Sequence, residues 1–348
     1  MVPCVIFSAS FLGIGDSIKL RRGPDMLRKG LFLAFVLFVV AIMVCPVYAA
    51  WPERPVTMIV PFNPGGDTDF MGRIYSKLLQ EELGQPVIVV NMAGAGGTVG
   101  AQQVADAAND GYTFLFYHTG NLYPNKMRGV TTLDHNAYEI VCIAGADDTN
   151  VLVAGKNSGF KDTADFLEKV RSADKGTYSA AVTASGYSCY ILSNMEVGGN
   201  FSVNIVDCGG AADSIPMILG KQVDLGVATY GVYKQYIDNG SMIPLIAAGA
   251  ERNSNFSDVP TARELGFSTT IVDRYYFVAF PKGTDTNVIQ KLANAIKNVQ
   301  SKQVYADEIA KGYYLKPFFV DHDKAADFLE NVWKQMEPFT DAMNRARR

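Results

Sequence analysis

The 348-residue chain lacks the residue patterns of most catalytic and metal-binding proteins. It has three histidines and five cysteines, and neither a Cys-x-x-Cys nor a His-x-x-x-His pair occurs, so nothing favours a zinc site. Gly-x-Ser-x-Gly and a Gly-Lys-Ser/Thr phosphate loop are also absent, which excludes the usual nucleophile elbow and the P-loop. We therefore predict no catalytic residue, no metal site, no cofactor and no enzymatic activity.

A basic surface is also missing. The chain carries 31 Lys and Arg against 35 Asp and Glu, which gives a net charge of -4. Nucleic-acid binding needs a basic face to neutralise phosphates, so we expect no nucleic-acid partner. Disorder is excluded by the 48% of hydrophobic residues, and the length is sufficient for one large domain or two ordinary ones.

Two single features come close to known motifs without completing them. Residues 94–100 are glycine-rich, but Gly-x-Gly-x-x-Gly requires glycine where Val99 stands. His118 follows a predicted strand at 113–117, the end of a strand at which open sheets bind ligands. It could act as a general base, but we favour a polar contact or a structural role.

The N-terminus has the pattern of a secretory signal. Arg28 and Lys29 precede an apolar run at 31–44, and small residues follow up to Ala50. The run is shorter than the roughly 20 residues that span a bilayer, so we favour cleavage near Ala49 or Ala50 over a membrane anchor. Residues 26–50 are then the signal peptide, residues 1–25 an upstream extension, and the mature protein is periplasmic.

The mature chain alternates strands and helices in two series. Apolar, β-branched runs at 56–60, 87–90 and 113–117 alternate with helix patterns, and the alternation starts again after residue 151. This order predicts α/β lobes with parallel sheets and helices on both faces. We expect residues 51–149 and 273–348 in lobe 1 and residues 150–272 in lobe 2. Cys189 and Cys208 either form a disulfide or remain thiols together with Cys142.

Loops rich in glycine and hydroxyl residues follow five of the predicted strands. They lie at 62–69, 118–121, 183–186, 208–210 and 229–231. Glycine lets backbone N–H groups approach a ligand, and helix N-termini favour an anion. One such loop would be only a tight turn, but several at the same ends of strands predict an anion site between the lobes.

A series of short motifs runs through the mature chain. They are Trp51-Pro52-x-Arg54-Pro55, Val60-Pro61-Phe62-x-Pro64-Gly65-Gly66-x-Thr68-Asp69, Leu83-Gly84-Gln85-Pro86-Val87, Asn91-x-x-Gly94-Ala95-Gly96-Gly97, Asp110-Gly111-Tyr112-Thr113, Gly220-x-Gln222-Val223-Asp224-Leu225, Asp258-Val259-Pro260-Thr261 and Pro281-x-Gly283-Thr284. In these motifs the chain resembles the Bug/TctC-type receptors, the extracytoplasmic solute-binding proteins of tripartite tricarboxylate transporters, over essentially all of its mature length.

The resemblance implies a type II periplasmic-binding-protein fold, with two α/β lobes and a ligand cleft between them. It also implies a monomer that binds a small carboxylate through backbone amides and hydroxyls and delivers it to membrane permease subunits. A ligand sensor for a signalling partner, and a secreted hydrolase or lyase using His118, are the alternatives. The candidate ligand-binding residues are Phe62, Asn63, Pro64, Gly65, Gly66, Asp67, Thr68, Asp69, His118, Thr119, Thr183, Ser185, Gly186, Gly209, Gly210, Thr229, Tyr230 and Asp273.

Asp67 departs from the family pattern, in which a small or hydroxyl residue is usual at this position. We expect it to cap the following helix; the alternative is that it faces the cleft and selects ligands with an amino group or less negative charge. Asp69 is expected to organise the first helical turn, because a bare carboxylate would repel an anionic ligand. Phe62 and Asn63 should supply a wall and a polar contact.

Overall fold

The computed structural model describes residues 51–183, 186–249, 251–267 and 273–345. The predicted upstream extension and signal peptide lie outside the described residues. Within the described part of the chain, no helix combines the length and the apolar character that a membrane crossing requires.

The first sheet has five strands in the order β2-β1-β3-β10-β4. Strands β1 to β3 are parallel, whereas β10 is antiparallel to both of its neighbours, β3 and β4. Runs of β-branched and aromatic residues form them. The central residues of β1, β3, β4 and β10 are buried, whereas the edge strand β2 exposes Ile88 and Val90. The strands are β1 Val56–Val60, β2 Val87–Asn91, β3 Thr113–His118, β4 Tyr138–Asp147 and β10 Arg274–Pro281.

The second sheet repeats this plan in the order β7-β6-β8-β5-β9. Here β6, β7 and β8 are parallel, and β5 is antiparallel to β8 and β9. Each sheet therefore contains one strand that runs against its neighbours. The strands are β5 Asn150–Gly155, β6 Ser179–Val182, β7 Asn204–Asp207, β8 Leu225–Thr229 and β9 Met242–Ala247.

Helices connect the strands and bury one apolar face each. In the first helix Met71, Ile74, Tyr75 and Leu78 recur at helical spacing and are buried, and left-handed Gly84 ends it. The helices are α1 Asp67–Leu83, α2 Thr98–Ala105, α3 Thr119–Met127, α4 Thr163–Ser172, α5 Tyr187–Gly199, α6 Ser214–Leu219, α7 Tyr230–Asp238, α8 Thr286–Ser301, α9 Gln303–Tyr313, α10 His322–Met336 and α11 Thr340–Arg345.

The predicted alternation of strands and helices is found, but the sheets are not purely parallel. The chain leaves the first sheet after β4 and enters the second through β5, with only two residues between them. So short a link cannot return the chain to the start of a parallel strand, so β5 runs back against β8 and β9. Strand β10 also runs against both of its neighbours, although a long link, residues 248–273, precedes it. The exact lobe boundaries remain a prediction.

The cysteines that the structure describes are free. Cys142 and Cys189 are buried and Cys208 is half-buried. Burial raises the pKa of the Cys142 thiol well above its ordinary value and also raises that of Cys189. The structure thus has thiols and not the Cys189–Cys208 disulfide.

Candidate functional site

A narrow cavity of about 40 Å³, room for a few water molecules, lies where the two sheets face each other. It is bounded by residues that follow the C-terminal ends of the parallel strands and by the first residues of the two antiparallel strands. In each sheet, both sets of residues lie at the same edge. The lining residues are Phe62, Asn63, Gly66, Asp67, Thr68, His118, Asn121, Asn150, Thr183, Tyr187, Ser188, Cys208, Gly210, Ala211, Ala212, Asp213, Val227, Ala228, Thr229 and Arg274.

The loop between β1 and α1 is held in shape by Asp69. Its buried carboxylate accepts hydrogen bonds from Gly65 N at 3.0 Å, Arg73 Nε at 2.9 Å and Asn91 Nδ2 at 2.9 Å. Burial by itself would raise the pKa of Asp69, but the hydrogen bonds from Arg73, Gly65 and Asn91 outweigh burial and lower it. Asp69 is therefore an ionised organiser of the loop, the role expected from the sequence.

Phe62 and His118 form one wall. Their rings stack with centroids 5.1 Å apart and planes 5° apart. Burial and the nearby Arg274 charge hold the pKa of His118 well below its ordinary value, so the ring is neutral at physiological pH. His118 thus contributes a polar edge to the cavity but no positive charge.

Four helices of eight or more residues begin at the cavity, and none has a side-chain cap. Their N-cap residues are Gly66, His118, Gly186 and Thr229, and no side chain of these residues bonds the first turn. By contrast, α4, α8 and α10 begin away from the cavity, where aspartate side chains accept from backbone N–H groups. Uncapped helix starts present partial positive charge to whatever occupies the cavity.

A buried ion cluster lies beside these helix starts. The Arg274 guanidinium pairs with both Asp67 and Asp147. Its Nη2 also donates to Thr229 Oγ1 at 2.7 Å and to the Tyr276 hydroxyl at 2.9 Å, and that hydroxyl donates to Asp67 Oδ2 at 2.7 Å. Burial opposes the charge of Arg274, but Asp67, Tyr276 and Asp147 more than compensate, so its pKa lies well above the ordinary value.

Asp147 connects this cluster to the crossing between the sheets. It is fully buried at the end of β4 and accepts from Thr149 N at 2.8 Å and Thr149 Oγ1 at 2.7 Å. Asn150 Nδ2 and Thr229 Oγ1 donate to its other oxygen at 2.9 and 2.8 Å. One carboxylate therefore bonds to the crossing, to the start of β5 and to the end of β8.

Three buried polar atoms of lining residues have no hydrogen-bond partner. They are Thr68 Oγ1, His118 Nδ1 and Arg274 Nε. Buried polar atoms are normally bonded, because leaving one unpaired costs about 1–3 kcal/mol. Three such atoms around one cavity indicate a place where a polar ligand completes the bonding.

Nine of the predicted site residues line the cavity: Phe62, Asn63, Gly66, Asp67, Thr68, His118, Thr183, Gly210 and Thr229. Pro64, Gly65 and Asp69 support the first loop behind them. Thr119 is buried with Oγ1 accepting from Tyr275 N at 3.0 Å, and Gly209 O accepts from Thr183 Oγ1 at 3.4 Å. Ser185 lies outside the described residues.

Tyr230, Gly186 and Asp273 lie next to the cavity but do not line it. Tyr230 stacks on Phe256 with centroids 4.2 Å apart, so its ring belongs to the core. Gly186 begins α5. Asp273 lies on the return crossing, where burial, Asp148 and Asp147 raise its pKa to about 6.

Two expectations about polar side chains need correction or completion. Asp67 is the first residue of α1 and does not cap it; its carboxylate bonds Arg274 and Tyr276 instead. Asn63 makes a polar contact, but with the protein: Nδ2 donates to Asp213 Oδ2 at 3.1 Å, across the mouth of the cavity.

Arg274 is the main residue that sequence reasoning missed, because no glycine or hydroxyl loop contains it. A signal was present: Arg274 begins an otherwise apolar strand, and a charge there needs a buried partner. Asn150, Tyr187 and Asp213 were missed for the same reason. Among the described residues, no group of three His, Cys, Asp or Glu side chains could hold a metal ion.

Comparisons with known proteins agree with this geometry. The family model described as "Tripartite tricarboxylate transporter family receptor" (TctC) matches residues 71–344. Protein BugT of Bordetella pertussis is 30% identical over 304 residues, which is 86% of this chain and 91% of BugT.

Two solved structures share the fold. The periplasmic binding protein BugD is 25% identical with a TM-score of 0.73, over 85% of this chain and 98% of BugD. The R. palustris protein Rpa4515, solved with adipate, is 23% identical with a TM-score of 0.78, over 84% of this chain and 98% of that one. The fold is therefore the type II periplasmic-binding-protein fold, two α/β lobes with a cleft between them.

Proposed function

The chain belongs to the tripartite tricarboxylate transporter receptor family, and we propose that it captures a small carboxylate in the periplasm and delivers it to membrane permease subunits. The three unpartnered polar atoms of Thr68, His118 and Arg274 in one cavity carry this proposal. The family consists of solute-binding receptors, and its neighbour Rpa4515 is solved with a dicarboxylate, adipate.

The helix starts favour a carboxylate as the occupant. Four helices begin around the cavity without side-chain caps, so their N-terminal charge is not neutralised by the protein. The shape of the first loop is fixed by Asp69, so little ordering is needed when a ligand arrives. A carboxylate oxygen can accept from these donors without a cationic clamp.

Periplasmic location and a partner in the membrane complete the proposal. The N-terminal signal pattern predicts export, and BugD is a periplasmic binding protein. Intact-mass measurement of periplasmic protein should give a chain that begins near Trp51. A membrane-bound chain that retains residues 31–44 would contradict export with cleavage.

The hydrolase alternative finds little support in the geometry. A catalytic histidine is usually oriented by a carboxylate or carbonyl on its second nitrogen. Nδ1 of His118 has no such partner among the described residues, and its ring stacks on Phe62. A binding role needs only the polar edge of the ring.

Substitution of Gly66 tests the site. A Cβ at Gly66 would meet no atom within 4 Å, and its φ of -84° suits any residue. We therefore expect Gly66→Val to fold normally and to fill the cavity, so that calorimetry shows at least about a 100-fold loss of carboxylate affinity. Thr286→Val, at the exposed start of α8, is the matched control and should bind like the parent. Equal binding by both variants would place the site elsewhere.

A further inference from the structure

The walls of the cavity carry more acid than base. The charged side chains that line it are Asp67, Asp213 and Arg274. Arg274 is already paired with Asp67 and with Asp147 behind it, so its charge is balanced by the protein. His118 adds no charge, because burial and Arg274 keep its ring neutral. The side chains therefore leave the cavity with an excess of negative charge.

Both lining acids also keep an oxygen without a partner. Asp67 uses only Oδ2, which accepts from Tyr276 and Arg274. Asp213 uses Oδ2, which accepts from Asn63 Nδ2. Among the described residues no hydrogen bond reaches Oδ1 of either acid. These two oxygens are acceptors, so each can bond a donor that the ligand supplies.

The same cavity also presents hydrogen-bond donors, which need an acceptor from the ligand. Arg274 Nε is a donor without an acceptor, and Thr68 Oγ1 can donate as well. The uncapped starts of α1 and α3 add backbone N–H groups and partial positive charge. A ligand that satisfies both groups must carry an anionic acceptor and a donor with positive charge.

We infer that the cavity is built for a carboxylate that also bears a protonated amino group, with Asp67 as the residue that selects for it. The carboxylate is received by the helix starts and Thr68, and the ammonium group by Oδ1 of Asp67 and Asp213. This inference rests on the proposed function, since it specifies which carboxylates the site takes.

A dicarboxylate of the same length fits this cavity less well. Its first carboxylate would meet the helix starts, but its second would face the acids that line the cavity. Like charges repel strongly where burial lowers the effective dielectric constant. The amino carboxylate replaces that repulsion with a charge-assisted hydrogen bond.

The test is a thermal-shift and calorimetry screen of matched sets. The sets are the common amino acids, 4-aminobutanoate and 5-aminopentanoate, each beside the acid without the amino group and the dicarboxylate of equal length. We expect the best amino carboxylate to bind at least about 10-fold tighter than both of its partners. If no amino carboxylate binds, or if a dicarboxylate binds tighter, the inference is wrong. Dicarboxylate binding would still leave the proposed function standing.

Two variants identify the selecting residue. Asp67→Asn keeps the size and an oxygen for Tyr276 but removes the charge, so it should weaken the amino carboxylate at least about 10-fold and leave the matching dicarboxylate unchanged or tighter. Asp213→Asn, at the mouth of the cavity, should act in the same direction and does not disturb the buried Arg274 cluster. Asp285→Asn, a cap far from the cavity, is the control. An unchanged preference in both cavity variants would overturn the role of these acids.

Discussion

Helices that begin at the cavity and three helices that begin on the outside obtain their first hydrogen bonds differently. On the outside, α4, α8 and α10 start at Asp162, Asp285 and Asp321, whose carboxylates bond backbone N–H groups. At the cavity, α1 and α5 start at glycines that have no side chain to offer. These three outer helices have side-chain caps, whereas the cavity helices leave their first donors for a ligand.

Acidic side chains differ between the same two regions. The outer caps are exposed to water, but Asp67 and Asp147 are buried and depend on Arg274. Outside the cavity, the capping aspartates serve stability and not binding. Inside the cavity, the same residues serve both stability and binding. The following predictions test this difference between the two regions. They are ordered by the expected change in the free energy of unfolding.

Removing the buried cation should have the largest effect. Arg274→Met leaves Asp67 and Asp147 buried without their cation, so we expect a loss of about 3–5 kcal/mol in urea denaturation. Arg54→Met is the matched control, because it breaks an exposed pair with Asp110 and should cost less than about 1 kcal/mol. Similar losses in the two variants would show that the cluster does not hold the cavity together.

Asp273 should destabilise the protein in a pH-dependent way. Its pKa is raised to about 6 by burial, Asp148 and Asp147, so the native state binds this proton more tightly than the unfolded chain. Stability from this group therefore falls as pH rises between the unfolded and folded pKa values. Asp273→Asn should gain about 1–2 kcal/mol at about pH 7.5 and almost nothing at about pH 4, after allowance for partial exposure. An equal gain at both pH values would rule out the ionisation as its cause.

Loss of an outer cap should cost stability without affecting binding. Asp285 accepts from Asn287 N at 2.7 Å at the start of α8. Asp285→Ala should lower the free energy of unfolding by ~1 kcal/mol in urea denaturation. Calorimetry with any carboxylate that the parent binds should give the same affinity for the variant. A change in affinity would mean that α8 communicates with the cavity.

Adding a cap at the cavity should give the smallest change in stability and a clear loss of binding. Gly66→Ser places a hydroxyl where it can bond the first turn of α1, a gain of only a few tenths of a kcal/mol. The same hydroxyl competes with the ligand for the N–H groups, so affinity should fall about 10-fold or more. Unchanged affinity would show that the start of α1 is not part of the anion seat.

Much of the fold could be predicted from local sequence. The β-branched run of β1 and the apolar stripe of α1 appear in the structure at nearly the predicted bounds. Strand β4 and helix α3 were not predicted. Helix α3 contains Pro124 and few apolar residues at helical spacing, so its fold depends on tertiary packing that a local pattern does not record.

The polar residues of the cavity were predictable where they followed strands and not where they depended on distant partners. Thr68 and His118 stand in loops that the strand pattern identifies. The role of Asp67 is set by Arg274 and Tyr276, which lie more than 200 residues later. Pairing over that distance arises only when β10 enters the first sheet, so Asp67 looked like a helix cap when read with its neighbours alone.

The position of β10 has a consequence for the order in which the chain folds as it emerges from its N-terminus. The second sheet is complete in sequence once residue 247 has been made, because β5 to β9 are consecutive. The first sheet is not, since β10 lies between β3 and β4 and ends at Pro281. Until that strand has emerged, β3 and β4 have no central partner and their edges are open to wrong pairings. The lobe whose first strands are translated earlier is thus the one whose sheet closes last.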